Sequence, residues 1–429
     1  MRIIAGALVL LLAACAGSAV RLAAPPNILV GLGTYPDAAI PPHKRTTTPR
    51  IFFVTDRARI TSDKKQAAYG FGRSRSMAFG YKNIAFGEGL TWDQLRARSV
   101  TRGRSDVTLS VVNSVELVRF PETPLPFQVA GSRAVPASKP LADYRAAGRA
   151  FKAAVAAELS RANRKEIVLY THGVNNDFED AADTIANLWH YSGRIGMPLV
   201  FSWPADNPGL LGYFSDRESG EFAVFHFKEM MRLLAEIPQL KHIHVIAHSR
   251  GTDLATTALR EMLIAERAAG RDPRRTLKVK NVILAAPDLN MDVVSQRLVA
   301  ERFAAAFDQI TVYMNGGDAA LGLAQSLFTG VRLGRLRPED LSAEELKILD
   351  NAQRVHFVNV ENVSTRSSHG YFRSNPNVVS DIVLTLRTGA EPGGNQRPLE
   401  PEVGNFWTMH RGYPFGRPVN VFDTTPERP

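Results

Sequence analysis

What this sequence has little of narrows its chemistry first. It holds one cysteine, Cys15, so it can form no internal disulfide and offers no cysteine-rich metal site. It carries no zinc-finger, RRM-like or lysine-run signature. Its basic residues are spread along the chain, so the formal net charge of +10 reads as a basic surface rather than a nucleic-acid footprint. The glycines of Tyr69–Gly80 include a Gly-x-Gly, Gly70-Phe71-Gly72, but no strand feeds it and no helix leaves it, which excludes a dinucleotide fingerprint. No metal and no organic cofactor is expected.

What is present begins with the N-terminus. Met1-Arg2 precedes the apolar run Ile3–Leu12, too short to span a bilayer comfortably, and then Ala13-Ala14-Cys15-Ala16-Gly17. This is the pattern of a signal peptide, residues 1–14. Leu12-Ala13-Ala14-Cys15 also resembles a bacterial lipobox. The resemblance implies cleavage before Cys15, acylation of that residue and anchorage by lipid; Ala16 after it implies the outer membrane, facing the periplasm. Residues 15–49, rich in Ala, Pro, Gly and Thr, read as a flexible tether.

With 45% hydrophobic residues the rest can bury a substantial core. Strand signals at 50–56, 107–120, 166–170, 198–203, 242–247, 279–286, 309–314 and 354–361 are interleaved with helical stripes. Those stripes cover 142–162, 178–195, 221–237, 252–269, 293–307 and 378–387. Such alternation predicts an α/β domain, residues 50–388, with a mostly parallel sheet covered on both faces. Residues 389–429, rich in Pro and Gly, read as a tail in which Phe406, Trp407 and Tyr413 could dock.

The chemistry centres on Ala247-His248-Ser249-Arg250-Gly251, between an apolar strand and a helix. This is a variant of the G-x-S-x-G nucleophile elbow, in which small residues let strand and helix fold back on each other. Ligands gather beyond the carboxyl ends of parallel strands, and three further ends carry candidate groups. Asp318 follows one strand, His369 the last, and His172-Gly173-Val174 closes a third. Acyl transfer needs a nucleophile (Ser249), a base active near neutral pH (His369) and an acid that orients the imidazole (Asp318). It also needs oxyanion donors, here the backbone N–H groups of Val174 and Arg250. Asp288, after another strand, is the alternative acid, although Pro287 restricts its approach whereas Gly316 and Gly317 free that of Asp318. His248 is expected to face the scaffold, His172 to orient the oxyanion loop, and His356 to pack within its strand. Arg250, Arg73 and Arg75 either line the pocket mouth or form ion pairs.

Taken together, several segments resemble the α/β-hydrolase superfamily, specifically the bacterial group of α/β hydrolases of unknown function (DUF900). They are Thr55-Asp56-Arg57, Arg73-Ser74-Arg75, Tyr170-Thr171-His172-Gly173-Val174-Asn175, Phe201-Ser202-Trp203-Pro204, the elbow, Asp318-Ala319-Ala320-Leu321 and Ser368-His369-Gly370-Tyr371. The resemblance spans roughly residues 50 to 388 and implies a serine-hydrolase scaffold without naming a substrate. The expected reaction is cleavage of a small-molecule or lipid carboxylic ester through an acyl-serine intermediate. Amide or peptide hydrolysis on the same residues, and an idle envelope-binding scaffold, are the alternatives.

Overall fold

The computed structural model describes residues 20–205, 207, 209–328, 330–350, 352–361, 363, 368–414 and 421–422. The expected signal peptide and Cys15 lie outside them. The strands are β1 (Arg50–Arg59), β2 (Tyr69–Phe86), β3 (Leu109–Arg119), β4 (Phe127–Ala130), β5 (Arg133–Pro136), β6 (Glu166–Thr171) and β7 (Met197–Ser202). They continue with β8 (His242–His248), β9 (Val279–Ala285), β10 (Gln309–Met314), β11 (Val355–Val360), β12 (Glu400–Pro401) and β13 (Phe406–Met409). Apart from the β4–β5 hairpin they form one sheet in the order β12-β13-β11-β10-β9-β8-β6-β7-β1-β2-β3. From β13 to β1 every neighbour is parallel, and antiparallel strands close both edges.

The central strands are apolar on both faces because helices cover both. Successive residues of β6 show the division. Ile167 and Leu169 point to one layer, with α2 (Ser138–Arg161), α4 (Gly209–Ala235) and α5 (Gly251–Ala268). Val168 and Tyr170 point to the other, with α1 (Trp92–Arg98), α3 (Asp180–Tyr191) and α7 (Pro376–Thr388). α6 (Ala319–Phe328) follows β10.

Three sequence expectations are corrected, and one stretch that the sequence left without an element is placed. Residues 20–49 are not a tether. Leu22, Ile28, Leu29 and Ile40 are buried in the second layer, and Leu22 N–H donates to the Val107 carbonyl at 2.8 Å. The segment buries apolar side chains spaced between its prolines, a pattern too sparse to show a period. Residues 389–414 are likewise no tail, since β12 and β13 extend the sheet beside β11. The buried Arg397 pairs with Asp381 at 2.7 Å, and Asp381 also accepts from the Tyr413 hydroxyl. The glycine-rich stretch from Tyr69 belongs to the long strand β2. A Cβ at Gly80 would lie 2.0 Å from the Val115 carbonyl oxygen and 2.6 Å from the Phe53 ring, so glycine there permits close strand approach. Finally, the helix expected over 293–307 breaks into short turns, with Arg302 left-handed at φ 55°.

Candidate active site

β8 delivers Ser249 at the carboxyl edge of the sheet, and α5 starts two residues later. Ser249 has φ 52°, a left-handed conformation that costs a non-glycine residue roughly 1–3 kcal/mol. Its surroundings hold it there. Its N–H donates to the Ala285 carbonyl, and its carbonyl accepts from the Thr252 N–H (3.0 Å) and hydroxyl (2.6 Å). The small residues have a reason the sequence did not disclose, because the close contacts come from the neighbouring strand β6. A Cβ on Gly251 would sit 2.2 Å from the His172 carbonyl oxygen. One on Gly173 would sit 2.7 Å from Ser249 Cβ.

Asp318 stands between β10 and α6. Its Oδ1 accepts from the Leu321 N–H (3.1 Å), at a helix N-terminus where a carboxylate is favoured. Its Oδ2 lies 2.8 Å from His369 Nδ1, and His369 Nε2 lies 2.8 Å from Ser249 Oγ. With Nδ1–H donating to the carboxylate, Nε2 is left to accept from the serine hydroxyl. Asp318 is fully buried, Ser249 is buried, and the His369 side chain is 26% exposed, so the relay meets solvent at the imidazole.

The loop carrying His369 is held from two sides. Asn315 Nδ2 donates to the Ser368 carbonyl (3.1 Å), and His248 Nε2 donates to the His369 carbonyl (3.1 Å). Burial pushes the His248 pKa well below its ordinary value, and the neutral ring stacks on Phe372 at 4.4 Å. His248 thus faces the scaffold and at the same time positions the imidazole loop.

His172 is completely buried and its pKa, too, is held well below the ordinary value by burial and then by Arg57. Its Nδ1–H donates to the Gly173 carbonyl (2.8 Å), while Nε2 accepts from the Trp203 N–H (3.2 Å). Two groups not singled out from sequence for this role complete the clamp on the loop after β6. Arg57 donates to the Asn176 carbonyl (2.6 Å), the Ala205 carbonyl (3.0 Å) and Ser202 Oγ (2.9 Å). Asp216 accepts from the Asn175 N–H (3.1 Å), at a residue with φ 52°. Arg57 was legible as part of Thr55-Asp56-Arg57; nothing local marks Asp216. Val174 therefore sits between Gly173, which abuts Ser249, and a backbone fixed by two buried charges.

The remaining candidates lie elsewhere. Asp288 does not reach His369. It accepts from the Tyr213 hydroxyl (2.6 Å) and lies 3.5 Å from Arg332 Nε, while its N–H donates to the Ser249 carbonyl (3.4 Å). Arg250 pairs with Asp253 at 2.7 Å. Arg73 donates to Ser219 Oγ and Arg75 to the Thr123 carbonyl. His356 is buried in β11, with its pKa lowered to about 4 by burial. A cavity of about 600 Å³ lies away from the serine, between α2, α4 and the loop before β4, and includes His226, which bonds to the buried Asp56. Among the described residues no group of three or more His, Cys, Asp or Glu is placed to hold a metal, and no helix is long and apolar enough to cross a membrane.

The sheet, the elbow after β8 and the clamped loop after β6 agree with the family comparison. The model of the family described as alpha/beta hydrolase of unknown function (DUF900) matches residues 147–387. The chain belongs to this family. Among solved structures, this alpha/beta hydrolase is similar to a "putative cell surface hydrolase" from Lactobacillus plantarum WCFS1. That match has 13% identity and TM-score 0.30, covering 52% of this chain and 90% of the other. It is also similar to an esterase from Pyrobaculum calidifontis, with 16% identity and TM-score 0.27, covering 52% and 76%. None of the curated proteins compared with the chain matches it.

Proposed function

We propose that this hydrolase cleaves a carboxylic ester through an acyl-serine intermediate, with Ser249 as nucleophile, His369 as base and Asp318 as orienting acid. The observation that carries the reading is the unbroken relay of two 2.8 Å contacts from Ser249 Oγ through the imidazole to a buried carboxylate. In the first half-reaction Ser249 Oγ attacks the ester carbonyl and its proton passes to His369 Nε2. The imidazolium is stabilised by Asp318 and then protonates the departing alkoxide. In the second half, water attacks the acyl-serine and gives a proton to the same nitrogen; the adduct then collapses as the C–Oγ bond breaks, that proton returns to Ser249 Oγ, and the carboxylic acid leaves. The tetrahedral oxyanion of each half is served by the N–H groups of Val174 and Arg250, a pair of which one lost donor costs about 3–4 kcal/mol. The clamp from Arg57 and Asp216 supports this role, because preorganised donors need no reorganisation as charge develops.

The decisive experiment is labelling by an alkyl fluorophosphonate, which requires an activated serine. Wild-type protein is expected to label and to turn over a chromogenic ester. Ser249→Ala should lose labelling and fall in turnover by about 10⁶ with its melting curve unchanged. A folded Ser249→Ala protein that still labels would remove this assignment.

The proposed location is the bacterial envelope, by a lipid anchor on Cys15, probed by incorporation of labelled palmitate that Cys15→Ala abolishes. Anchored protein should resist high-salt extraction, since several acyl chains exceed what stable attachment needs. Release by salt would instead assign attachment to the +10 charge.

A further inference from the structure

The two loops that carry the acid and the imidazole are both bordered by guanidinium groups. Arg335 donates through Nε and Nη2 to the Gly316 carbonyl (3.2 and 3.0 Å), two residues before Asp318. Arg337 lies flat against the same glycine, where a Cβ would come within 2.3 Å of its Nε. Arg373 flanks the other loop, its Nε 3.7 Å from where a Cβ on Gly370 would stand, and donates to Thr184 Oγ1 at 3.0 Å. Arg337 and Arg373 are exposed and Arg335 is half-buried.

Four of the acids around them are engaged elsewhere. Asp318 is bonded to His369, and Asp253 pairs with Arg250. Asp288 is held by Tyr213 and Arg332, and Asp340 accepts the backbone N–H of Arg337. Asp180 feels the charge of Arg373 from beyond ion-pair distance. Among the described residues no carboxylate comes within 4.0 Å of the guanidinium of Arg335, Arg337 or Arg373. The other arginines beside the site, Arg250 and Arg332, do have such partners. Unmatched charge of one sign beside a reactive group concentrates ligands of the other sign and raises their rate of capture. Arginine also presents a planar fork suited to carboxylate or phosphate oxygens.

We propose that the substrate is an anionic ester, carrying a carboxylate, phosphate or sulfate near the scissile bond, drawn in by Arg335, Arg337 and Arg373. This inference rests on the ester-hydrolase reading above and adds the charge class of the substrate.

The test compares matched esters, each normalised to its spontaneous hydrolysis. Mono-p-nitrophenyl adipate against p-nitrophenyl hexanoate places the anion on the acyl side. 4-Acetoxybenzoate against phenyl acetate places it on the leaving group. At low ionic strength one of the anionic esters should show kcat/KM roughly three- to ten-fold above its neutral partner, as expected for two or three partly solvated charges. The preference should shrink toward unity in 1 M salt and narrow in an Arg337→Gln/Arg373→Gln variant. Second-order inactivation rates for an alkyl fluorophosphonate with and without a terminal carboxylate make the same comparison independently of turnover. Equal or faster reaction of the neutral compounds by wild-type protein that labels at Ser249 overturns the charge proposal alone. So does a preference untouched by the arginine substitutions. Absence of labelling by either probe overturns the hydrolase reading with it.

Discussion

The tightest test of the site is one methyl group on Gly173. A Cβ there would lie 2.7 Å from Ser249 Cβ, 3.2 Å from its Oγ and 3.3 Å from the His248 carbonyl oxygen. Ser249 Cβ belongs to a backbone locked at φ 52°, so no rotamer change relieves the clash. Restoring ordinary contact requires the ends of β6 and β8 to separate by roughly 0.7 Å or more, at an overpacking cost of about 1–3 kcal/mol. That displacement moves Ser249 relative to both His369, now 2.8 Å away, and the Val174 N–H. A misplacement of about 1 Å costs on the order of 10² in rate, so Gly173→Ala should lose roughly 10- to 100-fold in kcat/KM while remaining folded. The assay is fluorophosphonate inactivation beside ester turnover, with melting curves for each variant. Gly251→Ala is the contrast. Its Cβ meets the His172 carbonyl oxygen at 2.2 Å and the Thr171 oxygen at 3.0 Å, both backbone atoms, so it should lose stability first. A Gly173→Ala protein reacting within twofold of wild type would refute the close approach of this loop to the serine and, with it, the oxyanion role of Val174.

Further outcomes follow from three carboxylates. Asp318→Asn should lower turnover by about 10⁴, since an amide favours the wrong imidazole tautomer. Asp288→Asn, which touches Tyr213 and the elbow backbone rather than His369, should act mainly on stability; the reverse ranking on variants with matched melting curves would move the acid role. Asp183 is buried in α3 and burial raises its pKa to about 7, Lys82 partly opposing the shift. A raised folded pKa adds stability that is full below the unfolded value near 4 and lost as pH rises through 7. Urea midpoints should therefore fall between pH 4 and pH 7.5, and Asp183→Asn should flatten that slope; parallel profiles would contradict it.

Much of the site is written in local order. The elbow needs a strand, a serine and small neighbours in one segment, and β-period and helix-period patterns bracket Ser249 without ambiguity. The competing acids were separable in direction because Gly316 and Gly317 free one loop and Pro287 restrains the other. The clamp was less legible. Thr55-Asp56-Arg57 stood out as a motif, but its purpose, a guanidinium bonded to Asn176, joins residues from two distant segments. Asp216 lies in the first turns of α4, where the sequence showed no helix before Glu221. The two ends of the domain are not legible for one reason: proline-rich segments that dock by a few scattered apolar side chains have no period to read.

The sequence by itself determined the alternation of strands and helices, the elbow, and the chain order of serine, acid and histidine, because each depends on neighbours within a few residues. The tertiary structure alone decided which acid meets His369 and why residues 173 and 251 must be glycine. It also decided that residues 20–49 and 389–414 belong to the domain, and that Arg335 and Arg373 border the loops carrying Asp318 and His369. Those facts depend on contacts between segments far apart in the chain, which periodicity and local composition do not encode.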